Sequence, residues 1–341
     1  MTRYPTLFLT ERGRRHHAAA LRAAPPELEV VVLRRPDGDT LLAHLKDAVF
    51  LITERSGRVD GEMISSAPKL RLILRLGSLV HDIDLIAARA AGIAVCAQPQ
   101  RGAIMVAEHS VVQMLALAKH LRQVEWAALA TREGGDSRRT DEDTFSYNWT
   151  RQSGIGGLWG RTVGILGCGE TGVELARRLQ GWNCRVRYHR RRRLPPVVEE
   201  ELGIRYAERE DLLAESDFLV NLLPYAPETD HSLGRAEFER MKPGAYLVSS
   251  GSGSVIDEPA LADAIRSGKL AGAALDTFEW EPLSADNPLL RLASSDPGLN
   301  LLLTPHTAAG APPQGSAFSR ADDYAPILQF LRGEPISDRT E

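Results

Sequence analysis

Residues 162–180 read TVGILGCGETGVELARRLQ, and this stretch limits the fold more than any other part of the chain. Val163 to Leu166 make an apolar strand pattern, Gly167, Gly169 and Gly172 make G-x-G-x-x-G, and Val173 to Leu179 make a helix pattern. The first glycine permits a tight turn and the second lets a pyrophosphate reach the backbone. The third lets helix and strand pack closely. The helix start adds free N–H groups and the positive end of its dipole. A Gly-rich turn alone is common; between strand and helix it predicts a dinucleotide site at Gly167, Gly169, Glu170, Thr171 and Gly172.

The next strand pattern ends in RVRYHRRRR, residues 185–193. NAD enzymes usually carry Asp or Glu at its end, to accept from the ribose 2′-hydroxyl; His189 stands there instead. Four arginines follow, Arg190 to Arg193, ready to pair with a 2′-phosphate. Most charge runs are solvated loops. At this position the run favours NADP(H), with NAD(H) as the alternative, held by His189, Arg190 and Arg191. A nucleic-acid reading lacks interleaved aromatics, and the net charge of −4 opposes it.

The rest of the chain repeats the strand–helix rhythm. LEVVVL (28–33), AVFLI (48–52), LRLILRL (70–76) and IAVCA (93–97) read as buried strands separated by short helices, which predicts a mostly parallel α/β sheet. Residues 103–130 form the longest helical pattern, without internal Pro or Gly. A polar stretch follows, and from Thr162 a second alternating series begins. With 341 residues, two domains are expected. Three irregularly spaced cysteines suggest neither a disulfide framework nor a metal site, so reduced thiols in the cytoplasm are expected. No apolar run approaches membrane-spanning length and no signal peptide is evident.

APKLRLILRLGS (67–78), VAEHSVVQMLALAK (106–119), GRTVGILGCGETG (160–172), LLPYAPETDHSLG (222–234), MKPGAYLV (241–248), VIDEPALADAIRSGKLAGAALDTFEWEP (255–282) and LLTPHTAAG (302–310) occur in this order. Together they resemble the D-isomer-specific 2-hydroxyacid dehydrogenases, from about Arg55 onward. The resemblance implies a Rossmann-type dinucleotide-binding domain, residues 102–306, inserted into a smaller flavodoxin-like α/β substrate domain, residues 1–101 plus 307–341. It implies linker helices at 103–122 and after Pro313, a homodimer, and cofactor contacts at Leu223, Pro224 and Asp276.

Hydride transfer to a carbonyl needs a proton source, and histidine suits it because its pKa lies near neutrality. His306 matches the family's acid–base histidine. Glu281 matches its carboxylate partner, with Glu279 as the alternative. The family's arginine, which clamps a 2-oxoacid carboxylate, falls on Ser252. A serine is short and neutral and cannot make that bidentate contact; loss of a comparable donor typically costs about 2.7–4 kcal/mol in the transition state. The substrate loop departs too: where the family has G-V-G-V-D, this chain has Gly77-Ser78-Leu79-Val80-His81. Ser78, Leu79 and Arg75 are the substrate-binding candidates, and Arg75, Arg101 or Arg55 could stand in for the missing arginine.

Three functions fit. The first is an NADP(H)-dependent oxidoreductase acting on a small-molecule carbonyl or hydroxyacid that is atypical for the family. The second is a catalytically impaired NADP(H)-binding regulator or scaffold, and the third is cofactor-assisted elimination or epimerisation.

Overall fold

A computed structural model describes residues 3–54, 57–130, 137–296, 298–310, 320–336 and 339–340. The chain divides into two compact units: Met1–Arg101 with Ala311–Glu341, and Gly102–Gly310.

The smaller unit is built on five parallel strands: β1 (Tyr4–Thr10), β2 (Leu28–Leu33), β3 (Phe50–Glu54), β4 (Leu72–Leu76) and β5 (Ala94–Gln98). Their spatial order is 2-1-3-4-5, the flavodoxin-like arrangement, and the short segment Arg339–Thr340 lies antiparallel beside β5. One face buries Leu7, Leu9, Leu51 and Ile73; the other buries Phe8, Phe50, Ile52 and Tyr324. Covering both faces explains why β3, β4 and β5 read as continuous apolar runs. The apolar run LEVVVL is a correction: β2 is an edge strand, mostly half-buried rather than buried. Strand β1 was not expected, because YPTLFLT mixes Pro and Thr with its apolar residues. Asp37, Asp60 and Asp84 cap three of the helices, each accepting an N–H three residues on.

The larger unit has seven parallel strands: β6 (Thr162–Leu166), β7 (Arg185–His189), β8 (Ile204–Tyr206), β9 (Phe218–Asn221), β10 (Ala245–Ser249), β11 (Leu270–Leu275) and β12 (Leu301–Leu303). The order is 8-7-6-9-10-11-12, a Rossmann sheet extended by one strand. Its switch point lies between β6 and β9. Strand β8 is only three residues long and gives no pattern in the sequence.

The long helical pattern at 103–130 is also corrected. It forms two helices, Arg101–Ala118 and Leu121–Ala130, parted at His120, whose φ is +49°. The first helix's terminal carbonyls are taken by other partners: Ala118 accepts from the Gly156 N–H, and Leu117 from Asn300 Nδ2. The second helix has no buried residue, and its direction is set by Arg122, which donates to the Leu301 and Ala293 carbonyls. The linker expected after Pro313 falls on 311–319, outside the described residues.

Among the described residues no helix is long and apolar enough to cross a membrane. Among the described residues no group of three or more His, Cys, Asp or Glu could hold a metal ion.

Candidate active site

The glycine loop joins β6 to the helix Glu170–Leu179 at the switch point. Gly167 has φ +93°, and a Cβ there would lie 2.8 Å from the Leu222 and Leu223 backbone. A Cβ on Gly172 would lie 3.2 Å from Cys168 Sγ and Ile165, so helix and strand pack closely there. A Cβ on Gly169 would meet nothing within 4 Å. That glycine caps the helix without a side-chain bond, with half-buried Glu170 and Thr171 as the first helical residues. One glycine therefore faces open space at a helix N-terminus while the other two are forced by packing, the division a pyrophosphate cradle requires. Cys168 packs beneath the loop, and burial pushes its thiol up to about 12, leaving it an inert core residue.

The carbonyl of His189, at the end of β7, lies within reach of the Gly167 and Cys168 N–H groups. Its ring Nδ1 sits 3.0 Å from the Ala207 carbonyl, and the ring lies against Tyr206. The four arginines are not equivalent, which corrects the expectation that the whole run stands ready. Arg193 donates twice to Glu199, at 2.8 and 2.7 Å, and stacks over Tyr206. That paired guanidinium, chiefly, holds the Glu199 carboxyl below its ordinary value. Half-buried Arg190 and exposed Arg191 make no hydrogen bond or ion pair among the described residues.

The segment after β10 is an ordered loop. A Cβ on Gly251 would lie 2.7 Å from the Leu223 carbonyl oxygen, and one on Gly253 only 2.0 Å from the Phe278 carbonyl carbon. The Ser252 N–H donates to the Leu223 carbonyl at 2.8 Å, and its hydroxyl lies 3.4 Å from that of Ser254. Asn221, which the sequence reading passed over, organises this edge. Its Oδ1 accepts from the Leu223 N–H, its Nδ2 donates to Ser249 Oγ, and its carbonyl accepts from the Gly251 N–H. Pro224 is exposed just beyond. A polar residue ending the apolar run FLVN was the available signal.

His306 follows β12, and its Nδ1 lies 2.7 Å from Glu281 Oε2. Glu281 Oε1 accepts from the Phe278 N–H, fixing the carboxylate from both sides. The alternative, Glu279, pairs elsewhere: its Oε2 lies 3.1 Å from Nε2 of His231. His306 adopts a left-handed backbone conformation, φ +54°, which costs a non-glycine residue on the order of 1 kcal/mol or more. Asp276 compensates. Fully buried, it accepts from the Thr304 hydroxyl and the Thr307 N–H through Oδ1 and from the Ala308 N–H through Oδ2. This anchoring of the His306 loop by Asp276 was not foreseen.

The remaining candidates lie in the smaller unit. Arg75 is buried and donates to Asp82 Oδ1 at 2.6 Å, so its charge is already matched. Ser78 is buried and Leu79 half-buried, just after β4. Arg101 is exposed at the start of its helix, and Arg55 lies outside the described residues.

Residues 111–308 match the family described as D-isomer specific 2-hydroxyacid dehydrogenase, NAD binding domain. A glyoxylate reductase of Korarchaeum cryptofilum is 32% identical over 314 residues, 91% of this chain and 85% of that protein. A D-3-phosphoglycerate dehydrogenase of Archaeoglobus fulgidus is 34% identical over 83% of this chain and 49% of its own length, so the chain spans about half of that relative. Among solved structures, a glyoxylate reductase from Paecilomyes thermophila superposes with a TM-score of 0.52 at 26% identity, covering 100% of this chain and 99% of that one.

Proposed function

Because the chain belongs to the D-isomer-specific 2-hydroxyacid dehydrogenase family, we propose that it is an NADP(H)-dependent oxidoreductase whose carbonyl or hydroxyacid substrate is atypical for that family. The observation that carries this reading is the 2.7 Å contact between His306 Nδ1 and Glu281 Oε2, at the same strand ends as the glycine loop.

The residues present fit a dinucleotide. Gly169 leaves room at the backbone, the helix start offers free N–H groups, and Leu223 and Pro224 border the loop. Without a carboxylate at His189, and with Arg190 and Arg191 unengaged, the site suits a 2′-phosphate better than a 2′-hydroxyl. The nicotinamide, when bound, supplies the hydride. Glu281 holds Nδ1 of His306, which leaves Nε2 to give its proton to the carbonyl oxygen as that oxygen gains charge. Ser252 offers a hydroxyl where the family clamps a carboxylate, so a neutral neighbour to the carbonyl is accommodated better than an anionic one. Ser78 and Leu79 contribute to the substrate loop.

Three free cysteines support a reducing, cytoplasmic setting. Exposed Trp126 and Leu129, on a helix with no buried residue, support a homodimer. The neutral Ser252 favours a second reading, an NADP(H)-binding regulator without turnover. Titration with NADPH and NADH, followed by NADPH oxidation with glyoxylate, hydroxypyruvate and neutral aldehydes and ketones, separates the two. Turnover supports the enzyme; tight NADPH binding with no turnover across the panel supports the regulator; tighter NADH binding removes the NADP(H) assignment.

A further inference from the structure

Two imidazole–carboxylate pairs share one turn. Glu281 pairs with His306, and Glu279, two residues earlier, pairs with His231 through Nε2 at 3.1 Å. We infer that His231 is a positioning residue for the His306–Glu281 pair, holding through Glu279 the turn that presents Glu281; this rests on the oxidoreductase reading above.

The connections are continuous. His231 lies in the segment before Leu233, and its N–H donates to the Ser254 carbonyl at 2.7 Å, tying it to the Ser252 loop. Leu233 continues the pairing, its N–H donating to the Val255 carbonyl. Gly253 lies against the Phe278 backbone, so the loop and the turn are in contact. The Glu279 N–H donates to Glu258 Oε1, and the other oxygen of buried Glu258 accepts from Asn287. From Phe278 the N–H then reaches Glu281 Oε1. The turn is therefore held at Glu279 by one backbone bond and one ion pair, and Glu281 hangs from the residue before it.

His231, like His306, has a left-handed backbone conformation, φ +47°. Such conformations persist where surrounding contacts over-determine them. The side chain is half exposed, and three carboxylates act on it: Glu279 from the turn, Asp230 beside it, and Asp257 from the start of the helix Glu258–Arg266. The hydrogen bond to Glu279 raises His231 above the ordinary histidine value, with burial acting the other way. The tie is present when His231 is charged and is lost as pH rises through that raised value.

The test uses the full chain with NADPH and the panel compound it turns over fastest. His231→Gln and Glu279→Gln should each lower kcat by about tenfold, because small displacements of a reacting group are costly. KM and NADPH affinity should stay within about twofold, since neither residue is assigned a binding contact. His231→Lys should keep kcat within about threefold and move the alkaline loss to higher pH, because lysine stays charged there. Independently of turnover, the NMR titration of the His306 ring should shift in His231→Gln relative to the unsubstituted protein. Unchanged kcat together with an unchanged His306 titration overturns the inference. If no compound is turned over, the proposed function fails, and the His306 titration alone decides this inference. If His231→Gln does not fold, as judged by NADPH binding, Glu279→Gln and His231→Lys decide it.

Discussion

Asp276 and Ala308 are joined by a 2.8 Å hydrogen bond from the Ala308 N–H to Oδ2, across the loop that carries His306. With the Thr304 hydroxyl and the Thr307 N–H on the other oxygen, one buried side chain holds three points of a loop whose central residue has a left-handed conformation. In Asp276→Asn an amide NH₂ must face buried donors. The substitution should destabilise the larger unit by about 2–3 kcal/mol and loosen His306 from Glu281. Urea denaturation measures the first effect, and the His306 ring titration the second.

Gly253, in the loop after β10, and Gly169, in the glycine loop after β6, make a contrast between two residues of one type. At Gly253 an added methyl would lie 2.0 Å from the Phe278 carbonyl carbon, so Gly253→Ala must move the backbone and should cost at least about 1–3 kcal/mol. At Gly169 the same methyl meets nothing. Gly169→Ala should therefore leave the melting temperature nearly unchanged while weakening NADPH binding, since the methyl takes the space a pyrophosphate needs. Thermal melts and NADPH fluorescence titration on both variants check the pair. Equal loss of binding without loss of stability in Gly253→Ala would contradict the packing argument.

This contrast shows which parts of the molecule the sequence could reveal. The Gly167–Gly172 turn was legible because its demands are local: three glycines at set spacing between a strand and a helix. The sheets were legible where strands are buried on both faces, and misread at edge strand β2. Nothing local predicted the break at His120, which depends on Gly156 and Asn300 taking helix carbonyls. His231 and Glu279 are 48 positions apart in the numbering, and Asp276 reaches 32 positions ahead to Ala308. Such partners become visible only when β9, β10, β11 and β12 are side by side.

The arginine run should divide in the same way. Arg190→Gln and Arg191→Gln should weaken NADPH binding by about ten- to a hundredfold each, the scale of a charge-assisted contact, with little change for NADH. Arg193→Gln should leave the NADPH-to-NADH ratio close to that of the unsubstituted protein, because Arg193 is committed to Glu199. Isothermal titration with both nucleotides checks this. A fall in NADPH affinity confined to Arg193→Gln would reverse the assignment.

Acid should weaken the smaller unit through a buried carboxylate, Glu54. Burial pushes Glu54 up, but Arg12 and Arg320 outweigh it and leave the carboxyl below its ordinary value. A depressed folded value means the stabilisation is present above the unfolded value, near 4.5, and is lost as pH falls through the folded one. Glu54→Gln should therefore lower the melting temperature at pH 7 and flatten its decline below pH 5. Melts from pH 7 to pH 3 on both proteins test the sign; a variant that declines as steeply as the original would refute it.

Ser252→Arg tests the proposal that serine stands here in the place of a substrate-clamping arginine. The Ser252 backbone is fixed from both sides by Gly251 against Leu223 and Gly253 against Phe278, so the position of residue 252 is set by its neighbours. An arginine there restores a planar donor pair for a carboxylate. If His306 and Glu281 are competent, the variant should gain activity on glyoxylate and hydroxypyruvate, with kcat/KM rising by about a hundredfold or more, the reverse of losing a preorganised donor. Activity on neutral carbonyls should fall, because a guanidinium without a carboxylate to pair with would then face them. Steady-state kinetics on both substrate classes check it. No gain on either 2-oxoacid, in a variant that still binds NADPH, would show that Ser252 is not what limits this site.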